Sequence, residues 1–246
     1  MKSIGMFASV FFLSWGTLIA QTPDGESILK RVDAAQTFST MKAVGTMTIT
    51  DSLGARKTTF INYTKGKDDT FMEFTSAAEK GQKILRNAKE LYLFFPDAEE
   101  VTRLQGAALR QSMAGSDISY EDMTGTRNRS DNYTTGVEGS EIIDGRDCWK
   151  LLLTAKTRNV AYSKQELWVD KVNYLPVKGL YYALSGKVLK ELSFGDVEKM
   201  GAFAMSTRIQ ITDKLKAGSK TELRFSSIEI DKPMDLKIFT LENLSW

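Results

Sequence analysis

The densest group of chemically competent side chains is Asp117, Glu121 and Asp122, inside the segment Met113-Ala-Gly-Ser-Asp-Ile-Ser-Tyr-Glu-Asp-Met123. Three carboxylates could ligate a hard cation, but this spacing matches no calcium loop. Ser119 and Asp122, three residues apart, fit a capping box, and acidic residues favour a helix start. The cluster therefore reads as cap and turn rather than as a metal site. A carboxylate pair could hydrolyse a glycoside without histidine, but with 31 acidic residues in the chain such a pair carries little weight. The sequence has no histidine. That removes Ser–His–Asp and Cys–His catalysis, His-ligated zinc and the usual general base near neutral pH. Cys148 is the only cysteine, so neither an intrachain disulfide nor a Cys-rich metal site can form. It reads as a small strand residue rather than a reactive thiol. Neither GxGxxG nor GxxxxGK[ST] occurs. No catalytic residue, cofactor or metal is expected, and the protein reads as a non-enzyme.

Charge narrows the partners further. The formal net charge of +2 gives no long-range attraction for nucleic acid. Lys65, Lys67, Arg103, Arg110, Arg127 and Arg129 supply local positive charge. They read mostly as a solvated face, some of which could meet anionic headgroups during a transient membrane contact.

The elements that would position these residues are mostly strands. Lys2 is followed by an apolar run from Ile4 to Ala20 that ends on a small residue. Residues 1–20 therefore read as a cleaved signal peptide, with Gln21 opening a single domain over 21–246. No cysteine lies near the cut, so the N-terminus is not a lipid-modified one. Asp24 offers a cap for a helix over Glu26–Asp33, with Ile28, Leu29 and Val32 as its apolar stripe. From Met41 onward the period is two. Strands are expected at Met41–Thr50, Lys57–Tyr63, Thr70–Phe74, Lys83–Arg86, Leu91–Phe95, Glu100–Arg103, Tyr133–Gly139, Cys148–Ala155, Gln165–Val169, Pro176–Tyr182, Val188–Glu198, Ala204–Thr212, Thr221–Ile230 and Leu236–Leu241. Turns are expected at Asp51–Gly54, Lys65–Asp69 and Asn87–Lys89. Short turns between regular strands give an antiparallel sandwich, barrel or half-barrel.

Parity sorts the faces. Trp149, Leu151 and Leu153 share one face of their strand, and Cys148, Lys150 and Leu152 share the other. Leu91, Leu93 and Phe95 oppose Tyr92 and Phe94, so that strand is apolar on both sides and must be covered twice. Met47 and Ile49 alternate with Thr46, Thr48 and Thr50.

Several pieces occur in a characteristic order: Glu26–Asp33, Met41–Thr50, Lys83–Arg86 with Leu91–Pro96, Gly115-Ser116-Asp117 with Tyr120-Glu121-Asp122, Gly145–Leu151, Glu166–Asp170 and Leu175–Lys178. This order resembles the outer membrane lipoprotein-sorting proteins of the LolA/LolB-like superfamily over nearly the whole chain, and Gly–Ser–Asp…Tyr–Glu–Asp is its most specific part. The resemblance implies a mainly β fold, a strongly curved antiparallel sheet forming an incomplete barrel with a few helices over its concave side. It implies a periplasmic carrier that holds acyl chains of a lipoprotein or lipid and takes them toward the outer membrane. The partners would be an inner-membrane transporter and an outer-membrane acceptor, with the carrier a monomer. An accessory or sensor protein of an inner-membrane transporter is the alternative. On this reading Met47, Ile49, Leu91, Leu93, Trp149, Leu151 and Leu153 line the cavity. Met113, Gly115, Asp117, Ile118, Tyr120, Glu121 and Met123 form a lid or docking loop. The arginine that latches the family's lid on an early strand has no counterpart in Gly45–Thr50.

Overall fold

The structure, a computed structural model, describes residues 23–87, 90–124, 128–158 and 160–244. The signal peptide, the Gln21 start, Ala88 and Lys89 of the expected turn, and Arg127 lie outside the described residues. Among the described residues no helix is long and apolar enough to cross a membrane.

A helix, α1 (Gly25–Ala35), opens the chain. The Asp24 carboxylate accepts the Ser27 N–H at 2.9 Å and so satisfies one of the orphan amides of its first turn. Six strands follow: β1 (Phe38–Asp51), β2 (Gly54–Gly66), β3 (Asp69–Phe74), β4 (Lys83–Asn87), β5 (Glu90–Phe95) and β6 (Glu100–Leu104). The crossing from β6 to the next strand, described over 105–124 and 128–132, carries three 3-10 turns, Gly106–Arg110, Met113–Gly115 and Tyr120–Thr124, and the one-turn helix α2 (Arg129–Asn132). Seven strands return: β7 (Tyr133–Ile143), β8 (Arg146–Ala155), β9 (Lys164–Asp170), β10 (Pro176–Tyr182), β11 (Val188–Met200), β12 (Phe203–Asp213) and β13 (Lys220–Ile230). Leu236–Phe239 and α3 (Leu241–Leu244) end the described chain. The strand expected at Leu236–Leu241 is thus a 3-10 turn running into a helix. Asp235 caps it by accepting the Lys237 N–H at 3.0 Å, and such a short apolar run has no period to tell helix from strand.

The thirteen strands form one antiparallel sheet in the order β6-β5-β4-β3-β2-β1-β13-β12-β11-β10-β9-β8-β7. The chain walks outward from β1 to one edge, crosses to the other edge, and walks back until β13 pairs with β1. The sheet is curved and open, not closed into a barrel. Its curl is visible in one ion pair. Lys67, at the tip of the β2–β3 hairpin, meets Asp131 of α2 at 2.8 Å, although eight strands lie between β3 and β7 in the sheet order. In a flat sheet at ~4.8 Å per strand they would lie roughly 40 Å apart.

Register fixes the faces. Residues directly opposite in an antiparallel pair point the same way. Leu151 lies opposite Leu167, Leu167 opposite Gly179, Gly179 opposite Leu192, and Leu192 opposite Ile211. Ile211 lies opposite Thr221, and Thr221 opposite Ile49. On the other half Met47 opposes Thr58, Phe60 opposes Phe74, Met72 opposes Ile84, and Ile84 opposes Leu93. All of these share the concave face. The convex face of β2–β5 carries Phe71, Leu85, Tyr92 and Phe94, and the chain end covers them with Phe239 and Leu244. That is the second cover an all-apolar β5 requires.

Candidate functional site

The seven residues expected to line a cavity all lie on the concave face, in two clusters. Trp149, Leu151 and Leu153 pack with Leu167 and Val169 beneath Ile28, Leu29 and Val32 of α1. Burying each such helix side chain contributes about 1.5–3 kcal/mol. The helix comes so close to β7 that a Cβ on Gly25 would sit 2.7 Å from the Thr135 carbonyl oxygen. Met47, Ile49, Leu91 and Leu93 lie in the other cluster, beneath Met113 and Ile118 of the crossing, with Tyr120 and Met123 packed at its margin. The roof over the concave face therefore has two parts, α1 and the described residues of the crossing.

Asp117 is the bolt of that roof. It is 1% exposed. Its carboxylate accepts from the Thr221 hydroxyl at 2.7 Å, the Ser219 hydroxyl at 2.9 Å and the Asp213 N–H at 3.2 Å. Its own N–H donates to Thr221 Oγ1 at 2.8 Å. Lys190 Nζ donates to the Asp117 carbonyl at 2.7 Å and to Asp122 at 2.5 Å. Lys216 holds the Ser116 carbonyl at 2.6 Å, and Arg56 the Gly115 carbonyl at 3.0 Å. Gly115 has φ +70°, a left-handed conformation that favours glycine.

Asp117 is not a cap. That role falls to Asp122, which accepts the Ser119 N–H at 2.7 Å while Ser119 Oγ accepts the Asp122 N–H at 3.4 Å, the expected capping box. Asp122 also accepts from the Tyr162 hydroxyl. Burial, then the neighbouring Asp122 charge, push the Tyr162 phenol far above its usual range. Glu121 is held above its usual value chiefly by burial, with Arg110 at 3.8 Å opposing. Arg129, read from sequence as part of a solvated face, is buried at 3% exposure and donates to Tyr181 at 3.1 Å. Cys148 is fully buried on the convex side, and burial pushes its thiol up to about 11. Among the described residues no group of three or more Cys, Asp or Glu side chains is placed to hold a metal ion.

A cavity of about 150 Å³ lies between the sheet and the crossing. Phe60, Met72, Met113, Met123, Leu223 and Phe225 form its apolar wall. Asn62, Thr70, Arg86 and Lys67 line it toward the β2–β3 hairpin tip. A larger groove, about 280 Å³, lies on the convex side between Lys42, Tyr63 and the tail around Met234 and Ile238. Sequence reasoning passed over Arg86, Lys190, Tyr162, Ser219 and Thr221. A signal existed for two of them. Arg86 alternates with Ile84, and Lys190 with Leu192 and Phe194, which puts each cation on an apolar face.

A family model described as "Uncharacterized protein" matches residues 66–246. No curated protein matches the chain. Among solved structures, a DUF1329 family protein from Desulfovibrio piger ATCC 29098 is 26% identical, with a TM-score of 0.84 over 89% of this chain and 97% of that one. A LolA superfamily protein from Nitrosomonas europaea is also 26% identical, with a TM-score of 0.75 over 90% of this chain and 100% of that one. An outer membrane lipoprotein-sorting protein domain from Vibrio parahaemolyticus shares the fold at 20% identity and a TM-score of 0.82, over 90% and 98% of the two chains. The chain therefore belongs to the family that this model describes, and it shares its fold with the DUF1329, LolA superfamily and lipoprotein-sorting structures.

Proposed function

We propose that this protein is a periplasmic, non-enzymic carrier that holds acyl chains between the concave face and its roof and passes them toward the outer membrane. Residues 21–246 act as one lipid-binding unit after export, receiving cargo from an inner-membrane transporter and giving it to an outer-membrane acceptor. The observation that carries this reading is the crossing, through its described residues 105–124 and 128–132. It joins the two free edges of a curved sheet and lies over an apolar face. A core that only had to be filled needs no roof pinned at separate points. A carrier does, because each methylene kept from water contributes ~0.8 kcal/mol, so a long chain exposed in transit costs on the order of 10 kcal/mol.

The attachments differ in strength, which suits a container that opens. The Asp117 and Lys190 contacts to β11–β13 are buried. The Lys67–Asp131 bridge is about half exposed on both sides, at 49% and 58%, and a pair of that kind is worth roughly 0–1 kcal/mol. The crossing thus stays fixed to β11–β13 while the mouth opens beside the β2–β3 hairpin. Met72, Met113 and Met123 at that mouth are flexible enough to repack around a chain. Binding of a fluorescent fatty-acyl probe tests the reading. Micromolar or tighter affinity is expected, and Leu93→Glu or Leu151→Glu should abolish it. Normal binding in both folded variants would refute it.

A further inference from the structure

Three exposed leucines sit on neighbouring turns at one end of the sheet. Leu53, 92% exposed, tips the β1–β2 turn; Leu215, 61% exposed, the β12–β13 turn; and Leu184, 84% exposed, the β10–β11 turn. Their six strands are contiguous in the sheet order, β2-β1-β13-β12-β11-β10. Register brings the tips to one level. Ile49, Thr221, Ile211, Leu192 and Gly179 form a single row across these strands. Leu53 lies four residues past Ile49, Leu215 four past Ile211, and Leu184 five past Gly179. Neighbouring turns are two strand spacings apart, so at ~4.8 Å per strand the leucines stand roughly 10 Å from one another along the rim.

The rim is basic. Arg56, Lys57, Lys187, Lys214 and Lys220 are exposed on it, and among the described residues 51–57, 183–187 and 213–220 no acid is. The two acids there, Asp51 and Asp213, are half-buried and accept the N–H groups of Leu53 and Leu215, each at 2.8 Å. Arg56 also pairs with Asp51, and Lys214 with Glu191, but Lys57, Lys187 and Lys220 keep the rim positive. The opposite end of the sheet differs. Val172 and Ile142 are exposed there, but beside the exposed acids Glu141, Asp144 and Asp147.

A single exposed leucine means little. Three at one level, spaced apart and set among cations, do not make the contiguous apolar patch that a protein interface buries. They fit a bilayer surface, whose interfacial layer accepts separate apolar tips while its anionic headgroups meet the surrounding lysines. Such a layer disfavours backbone amides without partners. The Leu53 and Leu215 amides already have theirs, and in the third turn the Ala183 N–H donates to the Lys187 carbonyl at 2.9 Å. The β12–β13 turn is also braced from behind, where Lys216 holds the Ser116 carbonyl at 2.6 Å and Ser219 the Asp117 carboxylate at 2.9 Å.

We infer that this rim is the surface by which the protein docks on a bilayer carrying anionic lipids, with Leu53, Leu184 and Leu215 in the interfacial layer. The inference goes beyond the acyl-carrier reading and does not depend on it. The β2–β3 hairpin tip lies at the other end of its strands, so the mouth stays clear of the docked membrane.

The test is co-sedimentation of the purified protein with vesicles of phosphatidylcholine, alone or mixed with phosphatidylglycerol. Binding to the mixed vesicles should be about tenfold tighter or more, and should weaken as salt is raised. Leu53→Ser and Leu184→Ser should each weaken it about tenfold. Both side chains are exposed, so the variants should fold and bind a fatty-acyl probe as the parent does. A polarity-sensitive dye on Leu53→Cys should shift to the blue on mixed vesicles, and the same dye on Val172→Cys should not. Cys148 is fully buried and does not compete for the dye. Absence of vesicle binding, or binding that both serine variants retain, would overturn the docking surface and leave the acyl reading standing. A blue shift at Val172→Cys in place of Leu53→Cys would overturn it in favour of the opposite end. Equal binding to neutral vesicles would overturn the part given to the lysines. Vesicle binding with these signatures by a protein that takes no acyl probe would support the surface and overturn the carrier reading instead.

Discussion

Replacing Asp117 with Ala removes the contact on which the roof depends most. The carboxylate accepts three hydrogen bonds, from Thr221 Oγ1, Ser219 Oγ and the Asp213 N–H. Hydrogen bonds to a charged group contribute about 1.5–3 kcal/mol each, but losing the buried charge also returns its desolvation cost. Each buried donor left without its acceptor costs about 1–3 kcal/mol, so losing three is a large part of the ~5–15 kcal/mol that holds a domain together. Hydrogen exchange with urea unfolding separates a local loss from a global one. The Asp117 N–H donates to Thr221, and the Ile118 N–H to Ser116 Oγ at 3.1 Å. If the roof lifts alone, these amides should exchange a few hundred-fold or more faster, since 1.4 kcal/mol is tenfold. Amides in the β1–β2 ladder should keep their protection. Asp117→Asn, which keeps an acceptor but not the charge, should lose about half as much. An unchanged urea midpoint together with unchanged exchange at Asp117 and Ile118 would refute the bolt.

Gly45 sits beneath the Phe60 ring, where a Cβ would come within 2.2 Å of it, and Phe74 and Phe225 pack edge-on at 6.2 and 6.1 Å. Gly45→Val should therefore cost about 1–3 kcal/mol by overpacking, read as a lower urea midpoint; a neutral result would mean that the ring moves freely. The Cys148 thiol, pushed up to about 11, should resist a thiol reagent at pH 8 in the native protein and react fully in urea.

The strands were legible because their faces differ. Alternation in Met47–Ile49 and in Trp149–Leu153 places side chains correctly once the period is two, whatever the pairing. The pairing itself was not legible. Nothing local in β1 says that its partner is β13, with Met41 opposite Ile230. The same distance hid the role of Asp117. Its nearest sequence neighbours suggest a turn, while its actual partners, Ser219 and Thr221, lie 102 and 104 residues away. Arg129 read as surface because nothing beside it in sequence is apolar, yet the crossing folds it against Tyr181. The tail failed for a different reason. The apolar run there is short, and only the docking of Ile238 and Phe239 on Phe71 and Leu85 decides its conformation.

The most direct test of the account places a photoreactive acyl chain on the protein and maps where it attaches. A diazirine-bearing fatty acid should label Met72, Met113, Met123 and Phe225, the wall of the cavity under the crossing. Asp117→Ala should spread or abolish that labelling. Attachment instead at Tyr63, Met234 and Ile238, in the larger groove on the convex side, would contradict an account in which the roofed concave face is the container.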